Sequence, residues 1–143
     1  MKRILLIFLT AFVLLLGAAP AEAEELSFDE IYSAYSADGL TFSDKTLSLE
    51  GGTVTVSGYM APPLTPTIHF FVLTEVPMSA CPFCSSDADW PDNIIVVKVD
   101  DPITALPYDT PITVTGTLEI GSETDEETGF VSQLRVHADS IDS

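Results

Sequence analysis

The feature that most limits the fold of this chain is a series of short runs rich in β-branched and aromatic residues, each ended by glycine, proline or acidic residues. Branching at Cβ restricts a side chain in a helix and packs well on a pleated sheet, so such runs favour strands. In several runs apolar and polar residues alternate, which places the apolar side chains on one face. The runs predict five strands, at Thr53–Met60, Ile68–Glu75, Asn93–Val99, Pro111–Ile120 and Phe130–Ala138.

Two of these predicted strands share a pattern in which alternating residues lead to a glycine. The pattern occurs at Val54–Gly58 and again at Ile112–Gly116. A glycine late in a strand indicates a bulge, a bend or the close approach of another backbone. We therefore expect both strands to bend in the same manner.

A helix is predicted before the first strand. Ser27 is a capping residue, Glu30 completes a capping box, and Gly39 is a typical helix stop. Aromatic and aliphatic residues between them follow helical spacing: Phe28, Ile31, Tyr32 and Tyr35. The pattern predicts an amphipathic helix of about ten residues.

These elements indicate one fold class. One helix and five strands in a single domain, residues 24–143, predict a mainly β fold, a five-stranded OB-like Greek-key barrel with a short N-terminal helix. A β-sandwich usually has about seven strands. A thioredoxin fold needs a substantial helix after its C-x-x-C motif, whereas Pro91 would stop a helix that begins at Cys84 within two turns.

The first 23 residues have the features of a secretory signal peptide. Lys2 and Arg3 precede the apolar run Ile4–Leu16, and residues 21–23 read Ala-Glu-Ala, a signal-peptidase site. The apolar run is short for a membrane span. We expect cleavage after Ala23, a periplasmic or secreted protein, and no stable membrane insertion after cleavage. An uncleaved N-terminal anchor is the alternative.

The charge balance excludes one class of partner. The chain has 22 acidic residues against five lysines and arginines, a formal net charge of −17. After Ala23 the only lysines and arginines are Lys45, Lys98 and Arg135. Nucleic-acid binding depends on basic residues that neutralise phosphates, so nucleic acid is excluded as a partner. The acidity is typical of a soluble or salt-adapted surface and would attract cations or a basic protein.

The loop between the second and third predicted strands contains the most distinctive chemistry. Cys81 and Cys84 form a C-x-x-C motif whose two sulfurs can converge on one point. Such a pair can bind a soft metal, exchange disulfides, or form a static disulfide outside the reducing cytosol. Trp90 and Pro91 end the loop and would pin it against the barrel.

For a metal site, the two thiolates would be joined by oxygen or nitrogen ligands. Asp87 and Asp89 follow the cysteines, and His69 lies in the preceding strand. Thiolates, imidazole and carboxylates together are typical of zinc or copper sites. The candidate ligands are therefore Cys81, Cys84, Asp87, Asp89 and His69, although their spacing matches no recognised four-ligand motif. The alternative interpretation is that the aspartates form a solvated turn and that His69 and His137 are ordinary strand residues.

Two alternatives to metal binding stay open. A thiol-disulfide redox protein would use Cys81 and Cys84 directly, although the neighbouring acids raise rather than lower a thiol pKa. A protein-binding adaptor would use the cysteines only as a structural disulfide. The sequence has no phosphate-binding glycine loop and no H-E-x-x-H motif, which favours a non-enzymatic protein.

Three short motifs between Leu49 and Ala138 carry a family resemblance. They are Gly58-Tyr59-Met60-Ala61-Pro62, then Phe70-Phe71-Val72-Leu73 leading to Cys81, and Val114-Thr115-Gly116-Thr117-Leu118. In these motifs the chain resembles a secreted bacterial OB-like family of unknown function. Some relatives have one cysteine followed by a histidine- and proline-rich loop, where this chain has Cys84 and acids. The resemblance implies an OB-like fold and a role beside metal-uptake systems.

The leading hypothesis from the sequence is an exported, non-enzymatic protein that binds zinc or copper through the C-x-x-C loop, accessory to metal uptake or delivery. Its partners would be the metal ion or another exported protein.

Overall fold

The computed structural model describes residues 22–37, 39–63, 67–80 and 90–143. In that part the chain is mainly β, and neither of its two short helices has the length and apolar character needed to cross a membrane. The signal peptide predicted at residues 1–23 lies almost entirely outside the described residues and stays a prediction. The elements are β1 (Glu24–Glu25), α1 (Phe28–Ile31), β2 (Tyr32–Ser36), β3 (Gly39–Phe42), α2 (Asp44–Ser48), β4 (Thr53–Met60), β5 (Ile68–Thr74), β6 (Ile94–Ile103), β7 (Pro111–Thr124) and β8 (Val131–Asp142).

Six strands form one mixed sheet in the order β1-β4-β5-β6-β8-β7, and β2 pairs with β3 in a separate hairpin. The five predicted strands correspond to β4, β5, β6, β7 and β8. Strand β7 also pairs with β4, so the pairings among these five strands form a closed cycle. The contacts β6–β8 and β1–β4 are parallel, and the remaining contacts are antiparallel.

The main core lies on the inner faces of the five long strands. Alternate residues point into it, as the sequence pattern predicts, and most of them are inaccessible to solvent. They include Val54, Val56, Phe71, Leu73, Ile95, Val97, Val114, Leu118, Leu134 and Val136, together with Leu26 and Ile31 from the N-terminal segment. Burial of each such side chain contributes about 1.5–3 kcal/mol, which makes this cluster the main source of stability.

The predicted N-terminal helix ends after one turn. The Glu30 carboxylate accepts hydrogen bonds from the backbone N–H (3.2 Å) and hydroxyl (2.8 Å) of Ser27, so the expected capping contact is present. The chain then continues as β2, because the Tyr32 ring stacks on Phe42 with centroids 5.0 Å apart. The prediction of about ten helical residues is wrong beyond the first turn, because this aromatic contact favours a hairpin.

The two strands that share the glycine pattern are β4 and β7, and they pair with each other. Val54 lies opposite Gly116, and Gly58 lies opposite Ile112, so each glycine faces the first residue of the other pattern. Between the glycines, side-chain hydroxyls meet in cross-strand pairs, Thr55–Thr115 and Ser57–Thr113, each with oxygens 3.1 Å apart. The two patterns are thus related by an approximate twofold axis.

Each of these glycines allows the backbone of a third strand to approach closely. A Cβ at Gly58 would lie 2.6 Å from the carbonyl oxygen of Thr74 in β5. A Cβ at Gly116 would lie 2.1 Å from the carbonyl oxygen of His137 in β8, beside a register shift between Thr115 and Gly116. Both positions therefore require glycine where two backbones converge.

We predict that Gly58→Ala and Gly116→Ala each lower the free energy of unfolding by about 2–4 kcal/mol, because the added Cβ collides with a backbone oxygen. Urea denaturation measures the change. The control is Thr117→Ala at the exposed neighbour of Gly116, for which we expect about 1 kcal/mol or less. Glycine variants as stable as this control would contradict the steric argument.

Candidate functional site

The predicted ligands fall into two groups in the structure. Cys81, Cys84, Asp87 and Asp89 lie outside the described residues, so their grouping stays a prediction. His69 is exposed near the start of β5, at a register shift between Ile68 and Phe70. In the part of the chain that is described, no group of three or more histidine, cysteine, aspartate and glutamate side chains could hold a metal ion.

His69 and the cysteine loop are attached to opposite ends of β5. The loop follows Thr74, five residues along the strand, which corresponds to about 17 Å of extended chain. His69 could join a site at the cysteines only if the loop returned along the strand. Its role as a ligand therefore stays a prediction with a stated geometric requirement.

The stem of the cysteine loop, defined as Thr74–Val76 with Trp90–Asn93, is fixed by hydrogen bonds. The backbone N–H of Glu75 donates to the carbonyl oxygen of Asn93 at 3.2 Å. The buried Thr74 hydroxyl lies 2.8 Å from the carbonyl oxygen of Val76 and 3.2 Å from that of Tyr59. These contacts join the end of β5 to β4 and to the start of the loop.

Trp90 holds the other side of the stem. Its indole N–H donates to the Tyr32 hydroxyl at 2.8 Å, and its ring packs against the main core and against a smaller cluster of Ala61, Val72 and Ile94. Burial, together with the negative charge of Asp92, raises the pKa of Tyr32 to about 12. The Tyr32 hydroxyl is therefore neutral at physiological pH, and the stem is tied to the β2–β3 hairpin.

An ion network that the sequence did not reveal surrounds Arg135, where β7 pairs with β8. Arg135 is 2% exposed, and its guanidinium group lies 3.1 Å from the Glu119 carboxylate and 3.4 Å from that of Glu123. The same group donates to the carbonyl oxygens of Gly121 (2.8 Å) and Ser132 (3.1 Å). Arg135 alternates with the core residues Leu134 and Val136 along β8, and its burial is not visible in the sequence.

The network extends across three strands. His137 contacts Glu119, and Lys98 of β6 contacts Glu123. A hydrogen bond from Arg135, and to a smaller extent one from His137, lowers the pKa of Glu119 to about 2. This outer-face network links β6, β7 and β8, and within it both Arg135 and Lys98 are paired with carboxylates.

The remaining cation is also paired. Lys45 Nζ lies 2.8 Å from the Glu30 carboxylate, and hydrogen bonds from Lys45 and Ser27 lower the pKa of Glu30 to about 2. Every lysine and arginine after Ala23 thus has a carboxylate partner.

Comparisons with known proteins give a similar fold and no family. No protein-family profile and no curated protein matches the sequence. Among solved structures, the chain is similar to a DUF3299 family protein from Pseudomonas aeruginosa PAO1, with a TM-score of 0.55 and 15% identity over 84% of this chain and 95% of that one. At this identity the likeness shows the fold alone. It is consistent with an uncharacterised family, and the motifs of the sequence resemblance stay a prediction.

We predict a coupling free energy of about 1 kcal/mol between Tyr32 and Trp90, because their hydrogen bond is partly buried. A double-mutant cycle with Tyr32→Phe and Trp90→Phe measures it by urea denaturation. Tyr35→Phe, which removes an exposed hydroxyl from the same hairpin, should change stability by about 0.5 kcal/mol or less. Additive single substitutions would show that the bond does not secure the stem.

We predict that Glu119→Gln destabilises the protein at pH 7 by about 1 kcal/mol, a value reduced for the partial exposure of this carboxylate. The folded-state pKa of about 2 lies below the ordinary 4.5, so ionised Glu119 stabilises the fold above pH 4.5. That stability is lost as the pH falls towards 2. Unfolding curves of the variant and wild type should therefore differ at pH 7 and converge near pH 2; a constant difference would refute the linkage.

Proposed function

We propose that this chain is an exported, non-enzymatic binding protein that holds a soft metal ion, zinc or copper, in a loop at the rim of an OB-like Greek-key barrel. Cys81 and Cys84 would supply the thiolates. Asp87 and Asp89 would supply oxygen ligands or orient the others, and His69 would complete the set. The protein would serve metal uptake or delivery as an accessory component.

The order of strand pairing supports the barrel. OB-type barrels are five-stranded Greek-key sheets that close or nearly close on themselves. The cycle β4-β5-β6-β8-β7-β4 contains five strands, and its parallel β6–β8 contact joins strands from two different hairpins. Loops between strands of such barrels are common binding elements.

The observation that carries the proposal is the pairing of every lysine and arginine after Ala23 with a carboxylate. The pKa of a reactive thiol is commonly lowered by a nearby lysine, arginine or protonated histidine, by a helix N-terminus or by a metal ion. Lys45, Lys98 and Arg135 are each paired with a carboxylate in the protein, and the stem contributes Glu75 and Asp92 instead. A bound metal ion removes the need for such a cation, because it deprotonates the thiols that coordinate it.

The overall charge and the fixed stem favour the same function. A formal charge of −17 raises the local concentration of cations around the protein. The hydrogen bonds of Thr74, Glu75 and Trp90 restrain both ends of the loop, which lowers the entropy lost when its ligands gather around an ion.

We predict that protein purified from the periplasm contains about one equivalent of zinc or copper by elemental analysis, and that Cys81→Ser/Cys84→Ser contains none. Asp87→Asn/Asp89→Asn should bind the metal about tenfold more weakly. The matched control is Glu126→Gln/Glu127→Gln, which removes the same charge from the β7–β8 turn and should bind as wild type does.

The outcomes separate the three functions. Wild-type protein without stoichiometric metal would refute the proposal. A reduction potential in the range of disulfide catalysts, with measurable thiol exchange, would instead favour a redox protein. Cysteine variants that lose stability but keep their biological activity would favour an adaptor with a structural disulfide.

A further inference from the structure

The β2–β3 hairpin lies outside the six-stranded sheet, and much of it is exposed. Its strands pair with each other and, among the described residues, with no other strand. Residues 33–37 are exposed, and Tyr35, at 81%, is the most exposed large apolar side chain among the described residues. An isolated two-stranded hairpin is marginally stable in water, so its stability must come from contacts at its base or from a partner.

The base of this hairpin is firmly attached. Tyr32 stacks on Phe42 and accepts the hydrogen bond from Trp90. The backbone N–H of Ser43 donates to the carbonyl oxygen of Ile31 at 2.9 Å. The hairpin is therefore a fixed projection that presents the outer edge of β2, at Ser33–Tyr35, in strand conformation.

This edge lacks the usual protection against strand pairing. Exposed edges are generally blocked by charged side chains, proline or bulges. Neither β2 nor β3 contains a charged residue or a proline, and the one bulge lies at the base between Tyr32 and Ala34. An edge of this kind is suited to pair with an extended segment through main-chain hydrogen bonds.

The surroundings of the hairpin indicate the charge of that segment. Beside its base, Glu25, Ser27, Asp29, Glu30 and Lys45 line an open depression of about 260 Å³. Lys45 is paired with Glu30, which leaves the depression with excess negative charge. At the hairpin base, Asp92 adds a negative charge that acts on Tyr32. A second copy of this acidic chain would be repelled here, whereas lysine or arginine side chains would be attracted.

We propose that the edge of β2 is a docking site for an extended segment of another protein that carries lysine or arginine. The segment adds a strand beside Ser33–Tyr35. Its apolar side chains pack on Tyr35, and its cationic side chains reach the carboxylates beside the hairpin base. The proposal rests on the described residues of the hairpin and does not depend on metal binding.

The test uses a fluorescent peptide in which valine alternates with lysine or threonine, and a control peptide with glutamate in place of lysine. We expect purified protein to bind the lysine peptide and to bind the glutamate peptide at least about tenfold more weakly. The affinity for the lysine peptide should fall as the salt concentration rises from about 0.05 M to 0.5 M. Amide chemical-shift changes on binding should concentrate at residues 32–42.

Matched variants locate the site. Tyr35→Lys should weaken binding of the lysine peptide about tenfold, while Tyr108→Lys, which adds the same charge at another exposed tyrosine, should leave it unchanged. Circular dichroism checks that both variants are folded. No binding by wild type, equal effects of the two variants, or equal binding of both peptides would overturn the proposal. A wild-type dimer in sedimentation that Tyr35→Lys converts to a monomer would also overturn it and identify a second copy as the occupant.

Discussion

The pairing of β4 with β7 is the contact on which the rest of this structure depends. It joins the last strand of the sheet to the second, so that the pairings of the five long strands around the main core form a closed cycle. Its register also places Gly58 and Gly116 where β5 and β8 cross at close range. Because β5 leads directly into the stem of the cysteine loop, this closure determines where the candidate site is attached.

Local patterns predicted the long strands well, because alternation and β-branching act within each run. The N-terminal segment was harder to predict. Ser27 and Glu30 signal a helix start, and the start is present. The helical spacing of Tyr32 and Tyr35 wrongly predicted a longer helix. The chain forms a strand there because Tyr32 contacts Phe42 and Trp90. Contacts between residues ten and 58 positions apart are not visible in a window of helical length.

The same limit applies to the candidate site and the ion network. Adjacency along the chain was enough to place the cysteine loop after β5 and to give Trp90 an anchoring role. It also placed His69 at the far end of that strand, but it could not show whether the loop approaches this residue. The burial of Arg135 depends on the strand register that brings Glu119 opposite it and on the turn that returns Glu123. A charged residue in an alternating strand reads as exposed unless its partners are known.

The ion network on the outer face also favours the observed register of β7 and β8. In the observed register Arg135 lies opposite Glu119; a shift by two residues would keep every side chain on its face but place Arg135 opposite Thr117 or Gly121. The contacts of the enclosed guanidinium group with Glu119 and Glu123 would then be disturbed, and loss of these partners would cost several kcal/mol. A hydrophobic stripe alone tolerates such a slip, because it repeats every two residues. A single enclosed cation thus distinguishes the correct alignment from its nearest competitors.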